Sequence, residues 1–508
     1  MTTNPPHELL DLSDDLWEHD ALPVLADYVR IPCLSPEFDR DWEEHGEIRR
    51  AAELLADWGR RRRIEGLSVE VVQLPGLTPV ILADIPAVAG SARDGAPPQG
   101  QGQGQGGGGG QGQGRGGGQG QGRGDGRPTL LYGHLDKQPP LGAWREGLAP
   151  FDPVREGDHL YGRGTADDGY SVFAALGAIE ILERAGYGHG RCTVIIEASE
   201  ESGSPHLGAY LESLSDRMAE AGPGLVVCLD SGAMSYDCLW STTSLRGLVA
   251  ASLSVGVLRE GIHSGSGGGV VPDSFRLLRG LIDRIEDSST GEVLLGSSNV
   301  EIPAGRRAEA EALVRELGGG SMDRFPALPG LRLAGGADGV GPLLARTWRP
   351  ALAVVGMDGI PAIADAGNVL RPFTAAKLSL RIPPSADSAA VADDLVRVLT
   401  ADPPEGAAVE VTDVVAADGF DAPETAPWLA AATDAASTAY FGAPGRGMGE
   451  GGSIPFLSEL QSSYPDAQFL VTGVLGPDSN AHGPNEMLHI PTAKRVTASV
   501  AFILANTP

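Results

Sequence analysis

Five short segments of this chain carry acids or histidines of the kind that hold metal ions: GHLD (His134, Asp136), GRGTADDG (Asp167, Asp168), EASEESGSP (Glu200, Glu201), VVCLDSG (Asp230) and SNAHGPNE (His482). A single acid after a strand ordinarily caps a helix or sits in a solvated loop. Five such sites, each just after an apolar strand or in a glycine-rich loop, are hard to explain as caps. The adjacent Glu200 and Glu201, next to a buried strand, would repel each other unless cations neutralise them. Carboxylates mixed with neutral imidazoles suit Zn, Mn or Co, and no cysteine belongs to the set. One shared carboxylate, with one histidine and one further acid per metal, would make a co-catalytic pair about 3.5–4 Å apart.

These side chains need a scaffold that brings them together, and the pattern of the chain supplies one. Residues from about Asp20 to Trp58 read as helical, with Ile48, Ala51, Ala52, Leu55 and Trp58 at helical spacing. The run Arg60–Arg63 that follows reads as a solvated helix end. SVEVVQL, PVILADIPA and TLLYGHLD read as strands. A Gly/Gln-rich tract at about 90–127 separates the last two and is expected to be a flexible insertion. A helix at Ser171–Ala185, strand RCTVIIEASE, a helix near His206–Glu220 and strand GLVVCLD follow. Strands alternating with helices indicate an α/β sheet whose site lies at the strands' carboxyl ends.

After Trp240 the texture changes. Strands GLVAASLSVGV, AAKLSLRIPP and AVEVTDVV with helices at Asp273–Ile285 and Ala389–Leu399 suggest a smaller α+β unit. Strand AQFLVTGV and helix Thr492–Leu504 would then rejoin the first sheet. The expectation is a mixed-sheet α/β catalytic domain with helices on both faces, interrupted by an inserted α+β lid or dimerisation domain. Its parts would span 1–243, 244–413 and 414–508.

Composition bounds the partners. A formal charge of -29 over 508 residues argues against nucleic acid, whose binding needs Lys and Arg to neutralise phosphates. No apolar run reaches the ~20 residues that span a bilayer, and the acidic N-terminal stretch is no signal peptide. Cys33, Cys192, Cys228 and Cys238 form no CxxC pair and read as free thiols, so a cytoplasmic location is expected.

The ordered set YGHLDKQPP, LYGRGTADDG, EESGSP and EGGSIP resembles the zinc aminoacylase, glutamate carboxypeptidase and carnosinase family, and most of all its carnosinase-like dipeptidases. The resemblance implies a ferredoxin-like inserted domain and two divalent ions per subunit, Zn2+ first, Mn2+ or Co2+ as alternatives. It implies that His134 and Asp230 hold one ion, Glu201 and His482 the other, and Asp167 both. Asp136 would orient His134, and Glu200 would be the general base that moves a water proton to the leaving amine. It further implies a homodimer, in which His263 of GIHSGSGGG supplies an oxyanion donor to the partner subunit. Arg381 would clamp the substrate's C-terminal carboxylate, helped by Asn368, Gly452 and Ser453.

Two positions depart from the family pattern: Gly169 stands where a Lys is common, and Gly449 where an Arg is common. The expected activity is cleavage of dipeptides or short peptides. The alternatives are removal of the acyl group from N-acyl amino acids and, less favoured because Glu200 and every ligand are present, an inactive metal-binding scaffold.

Overall fold

The computed structural model describes residues 5–90, 126–213, 222–317, 327–336 and 338–508. Strands β1 (Ser68–Val72), β2 (Val80–Ile85), β3 (Thr129–His134), β4 (Cys192–Glu197) and β5 (Leu225–Cys228) come from the first part of the chain. The chain then leaves through β6 (Trp240–Leu245) and builds a separate sheet from β7 (Gly247–Gly256), β8 (Ala351–Asp358), β9 (Phe373–Ile382) and β10 (Ala408–Ala417). It returns by β11 (Arg446–Glu450) and β12 (Gln468–Val471).

The first sheet has the order β1-β2-β4-β3-β5-β12. β4, β3, β5 and β12 run parallel, and β1 and β2 form an antiparallel edge. All six residues of β3 and of β4 are buried, as expected for parallel strands covered on both faces. Alternate residues serve the two faces. Leu131, Val194, Ile196 and Val227 pack with helices Ser171–Arg184 and Ile490–Asn506. Leu130, Tyr132, Ile195 and Val226 pack with Leu207, Tyr210, Phe456 and Leu460 on the other side.

The second sheet is antiparallel in the order β8-β9-β7-β10. With helix Ser274–Ile282 after its first strand and helix Ser388–Thr400 after its third, it has the ferredoxin-like topology. Leu277, Leu281, Val391 and Leu395 of those helices bury one face against Val249, Leu253, Leu378 and Leu380. The fold class expected from the sequence is therefore present.

Some local readings need correction. The helical stretch expected from Asp20 to Trp58 is broken: helix Leu22–Val29 stops before Pro32, and a second long helix begins only at Glu47. Proline disfavours helical backbone in the residue before it, which acts here at Ile31 and Ser35, and Gly46 restarts the helix at φ +71°. The arginine run is not wholly solvated. Arg62 lies over the Trp58 ring and pairs with Asp20 (2.6 Å) and Glu180 (3.2 Å).

Helices Ala304–Leu317 and Val340–Thr347 are not among the elements expected from the sequence. They pack on β6 and β11 through Leu313, Leu343, Leu344, Trp240 and Met448. The helix expected near His206–Glu220 runs from Leu207 to Ser213; the rest of it, and residues 91–125 of the Gly/Gln-rich tract, lie outside the described residues. All four cysteines are free and buried. Among the described residues no helix is long and apolar enough to cross a membrane.

Candidate active site

The parallel strands place the acids and histidines at one end of the sheet. His134 is the last residue of β3 and pairs in register with Glu197 at the end of β4. Glu200 and Glu201 occupy the turn after β4, Asp230 follows β5, and His482 lies in the loop after β12. The loop carrying Asp167 and Asp168, joined by a cis peptide, leads into the buried helix Ser171–Arg184. That helix can start so close to β3 because position 133 has no side chain. A Cβ at Gly133 would lie 2.2 Å from Ser171 Oγ and 2.6 Å from Asp168 Oδ2.

Asp167 faces both imidazoles. Its Oδ1 accepts from His134 Nε2 at 3.2 Å, and its Oδ2 lies 3.0 Å from His482 Nε2. His482 Nε2 is also 3.1 Å from Glu201 Oε2. His134 Nε2 lies 3.8 Å from Asp230 Oδ2 and 3.9 Å from Glu200 Oε2. Donor atoms of His134, Glu200 and Asp230 fall within 4.8 Å of one another, and so do those of His134, Asp167 and Glu201. Asp136 does two things at once. It lies 3.4 Å from His134 Nδ1, and its two oxygens accept the main-chain N–H groups of Glu200 (3.1 Å) and Glu201 (3.0 Å). The carboxylate beside the imidazole thus also pins the glutamate turn.

So many carboxylates in one buried place perturb each other. Burial and the neighbouring Asp230 hold Glu200 well above the usual carboxylate range. Burial, opposed by His134 and reinforced by Asp167, pushes Asp230 up to about 7. At His482 burial works against the charge, but hydrogen bonds to Asp167 and Glu201 outweigh it and raise the imidazole to about 11. The same opposition, with Asp136 and Asp167 as partners, raises His134. One oxygen of buried Asp168 has no hydrogen-bond partner. The set has the composition and crowding of a site for divalent cations, with hard oxygens and imidazoles and no thiol.

A cavity of about 800 Å³ opens beside these groups, lined by Asp167, Glu200, Asp230 and His482 and also by Gly452 and Ser453. Arg381 reaches that lining indirectly, donating from Nη1 to Ser453 Oγ at 2.8 Å. His263 and Asn368 are not brought to it. They sit together on an exposed ribbon in which Ile262–His263 pairs with Val369–Leu370, and Ser264 N donates to Asn368 O.

Several supporting residues carried no clear sequence signal. Glu486 accepts from the main-chain N–H groups of Gly164, Ala166 and Asp167 and pairs with buried Arg163 at 2.6 Å, so it holds the loop that presents Asp167. Its closeness to His482 in sequence was the one available hint. Glu197, which burial pushes up to about 7, accepts from Ser199 and Ser204 on either side of the glutamate turn and from Tyr132. Gln138 donates to Glu201 at 2.8 Å. The structure also accounts for both departures from the family pattern. A Cβ at Gly169 would lie 2.2 Å from the Tyr28 ring, and one at Gly449 would lie 2.8 Å from Ser244 Oγ and 3.1 Å from Thr347.

Residues 130–506 match a family described as Peptidase family M20/M25/M40. A cysteinylglycine-S-conjugate dipeptidase of Corynebacterium striatum is 29% identical over 380 residues, 73% of this chain and 80% of that protein. Among solved structures, the di-peptidase Dug1p of Saccharomyces cerevisiae superposes with a TM-score of 0.74 at 19% identity over 98% of each chain. Human carnosine dipeptidase 1 does so with a TM-score of 0.71 at 20% identity over 99% of each chain. Those two likenesses are likenesses of fold.

Proposed function

The chain belongs to peptidase family M20/M25/M40, and from that membership we propose that it is a two-metal dipeptidase acting on dipeptides or short peptides with a free C-terminal carboxylate. The observation that carries this reading is the pair of donor groups, His134–Glu200–Asp230 and His134–Asp167–Glu201, gathered beside one cavity. The C. striatum relative, a dipeptidase by name, supports the substrate class.

In this reading His134 and Asp230 hold one ion, Glu201 and His482 the other. Asp167, with one oxygen toward each imidazole, serves both. When bound, the ions, Zn2+ or else Mn2+ or Co2+, would supply Lewis acidity toward an attacking water and the scissile carbonyl. Glu200 takes the water's proton and delivers it to the leaving amine. Its raised proton affinity suits a group that must hold the proton between those two steps. Asp136 keeps His134 oriented and Glu200 within reach. Arg381, with Gly452 and Ser453, receives the C-terminal carboxylate, whereas Asn368 stays beside His263 on the exposed ribbon. His263, exposed on its own chain, serves the cavity of a second copy in a homodimer and donates to the developing oxyanion. Free thiols fit a cytoplasmic location.

The test is a panel of dipeptides beside N-acetyl and N-succinyl amino acids, run on the full chain with added Zn2+, Mn2+ or Co2+. Hydrolysis of dipeptides is expected. Turnover of N-acyl amino acids alone would replace this reading with a deacylase, and turnover of neither with any metal would overturn both.

A further inference from the structure

Three guanidiniums lie near one another beside the link from β6 to β7, and among the described residues only one of them pairs with a carboxylate. Arg246 is the single residue between β6 and β7, Arg381 is next to last in β9, and Arg346 belongs to helix Val340–Thr347. Arg346 Nη2 pairs with Glu450 Oε2 at 2.8 Å. Arg246 is 9% exposed. Its Nε and Nη1 donate to the main-chain oxygens of Gly451 (3.2 Å) and Arg349 (3.3 Å). Arg381 donates to Ser453 Oγ, and that hydroxyl donates to the Arg246 carbonyl. The two arginines therefore grip the Gly451–Ser453 turn from both ends. The turn lies close because position 451 has no side chain: a Cβ there would be 3.2 Å from Arg246 Nη2.

Among the described residues neither Arg246 nor Arg381 forms an ion pair. Burial and the charges of Arg381 and Arg346 pull Arg246 down to about 10, and burial also lowers Arg381. Backbone carbonyls carry only partial charge, so two cations held out of water together are costly until an anion arrives. Gly452 and Ser453 of the turn they grip line the same cavity as Asp167, Glu200, Asp230 and His482.

We infer that Arg246 and Arg381 together bind an anionic C-terminal residue of the substrate, its α-carboxylate and a side-chain carboxylate both, so that peptides ending in Glu or Asp are the preferred class. The placement of the α-carboxylate rests on the peptidase reading above. One carboxylate leaves a guanidinium unmatched, whereas two match both, and a planar fork suits each.

The test compares peptides equal in size that differ by one charge: Ala-Glu with Ala-Gln, and Ala-Asp with Ala-Asn, on the Zn-loaded full chain. The acid is expected to exceed the amide by about tenfold or more in kcat/KM, chiefly through KM, the scale of one charge-assisted hydrogen bond. Arg246→Gln should bring that ratio toward one, and Arg246→Lys should keep it above the Gln variant's. A merely structural role for Arg246 would slow both peptides alike and leave the ratio standing. Calorimetric titration with free L-glutamate and L-glutamine needs no turnover. If no dipeptide is cleaved yet glutamate binds more tightly, and loses that advantage in Arg246→Gln, the anion site stands and the dipeptidase reading falls. Equal binding of the two amino acids, or an acid-to-amide ratio unmoved by Arg246→Gln, overturns the inference.

Discussion

Glu200 and Glu201 share one turn but keep different company. Glu201 Oε2 meets His482 at 3.1 Å and Gln138 at 2.8 Å, whereas Glu200 lies 3.9 Å from His134 Nε2 and faces the cavity. Glu200→Gln should therefore keep both ions and lower kcat by at least ~100-fold, while Glu201→Gln should lose an ion. Metal content by mass spectrometry, measured beside kcat, checks this; the opposite pattern would exchange the two roles. The imidazoles give a second prediction. In the metal-free chain His482 is raised from 6.5 to about 11, and His134 is raised as well. Both therefore hold a proton more tightly than a free imidazole, whereas a ligand must be neutral. Loading metal should release these protons, so apparent affinity rises with pH. Calorimetry in two buffers of different ionisation enthalpy reads the release, and pH-independent affinity would contradict it. The same sign governs the metal-free fold: the support that protonated His482 gives is full below 6.5 and fades as pH climbs toward 11. The candidate metal-binding residues were legible because each follows an apolar strand or sits among glycines. Gln138 and Glu197 were not, since a lone amide and a strand-end acid have commoner explanations.

At the scale of elements, the loop carrying Asp167 depends on a partner far along the chain. Arg163 and Glu486 are separated by 323 positions, yet both are buried and 2.6 Å apart. Removing one charge leaves the other buried and uncompensated, at a cost of about 3–5 kcal/mol. Glu486→Gln should lower the thermal midpoint and weaken metal binding together, since the same carboxylate holds the N–H of Asp167. A variant with normal stability and metal content would show that the pair carries no strain of this kind. Such a pair has no local pattern, which is why it was invisible in the sequence. The central strands and the strands of the smaller α+β unit were legible because period-two and continuous apolar runs are strong signals, whereas its ferredoxin-like topology came from the family resemblance. Helices Ala304–Leu317 and Val340–Thr347 were not. The first is tied by polar contacts as well as apolar ones, Arg306 to Asp421 at 2.7 Å, Glu309 to Thr243 at 2.6 Å and Arg446 to Glu316 at 2.7 Å, and the second has only 8 residues, so neither offers a long apolar repeat.

At the scale of the whole molecule, the exposed position of His263 makes a sharp prediction. Glu200→Ala and His263→Ala should each be nearly inactive alone. If the two variant chains exchange subunits, half the dimers are mixed, and each mixed dimer holds one site with both groups intact. About a quarter of the parent activity should return if sites are additive. Exchange confirmed by mass spectrometry with no recovery would place His263 outside the reaction or in its own chain's site. The strand order carries a consequence for biosynthesis. β12 completes the sheet beside β5 only after the whole second sheet has been made. A growing chain therefore presents Asp167, Glu200, Glu201 and Asp230 with a single imidazole, an oxygen-rich set better suited to Mg2+ or Ca2+ than to Zn2+. The second imidazole, and the glutamate that braces the Asp167 loop, emerge last. In the proposed reading, the second ion's site is complete only once His482, among the last residues to be made, has joined it.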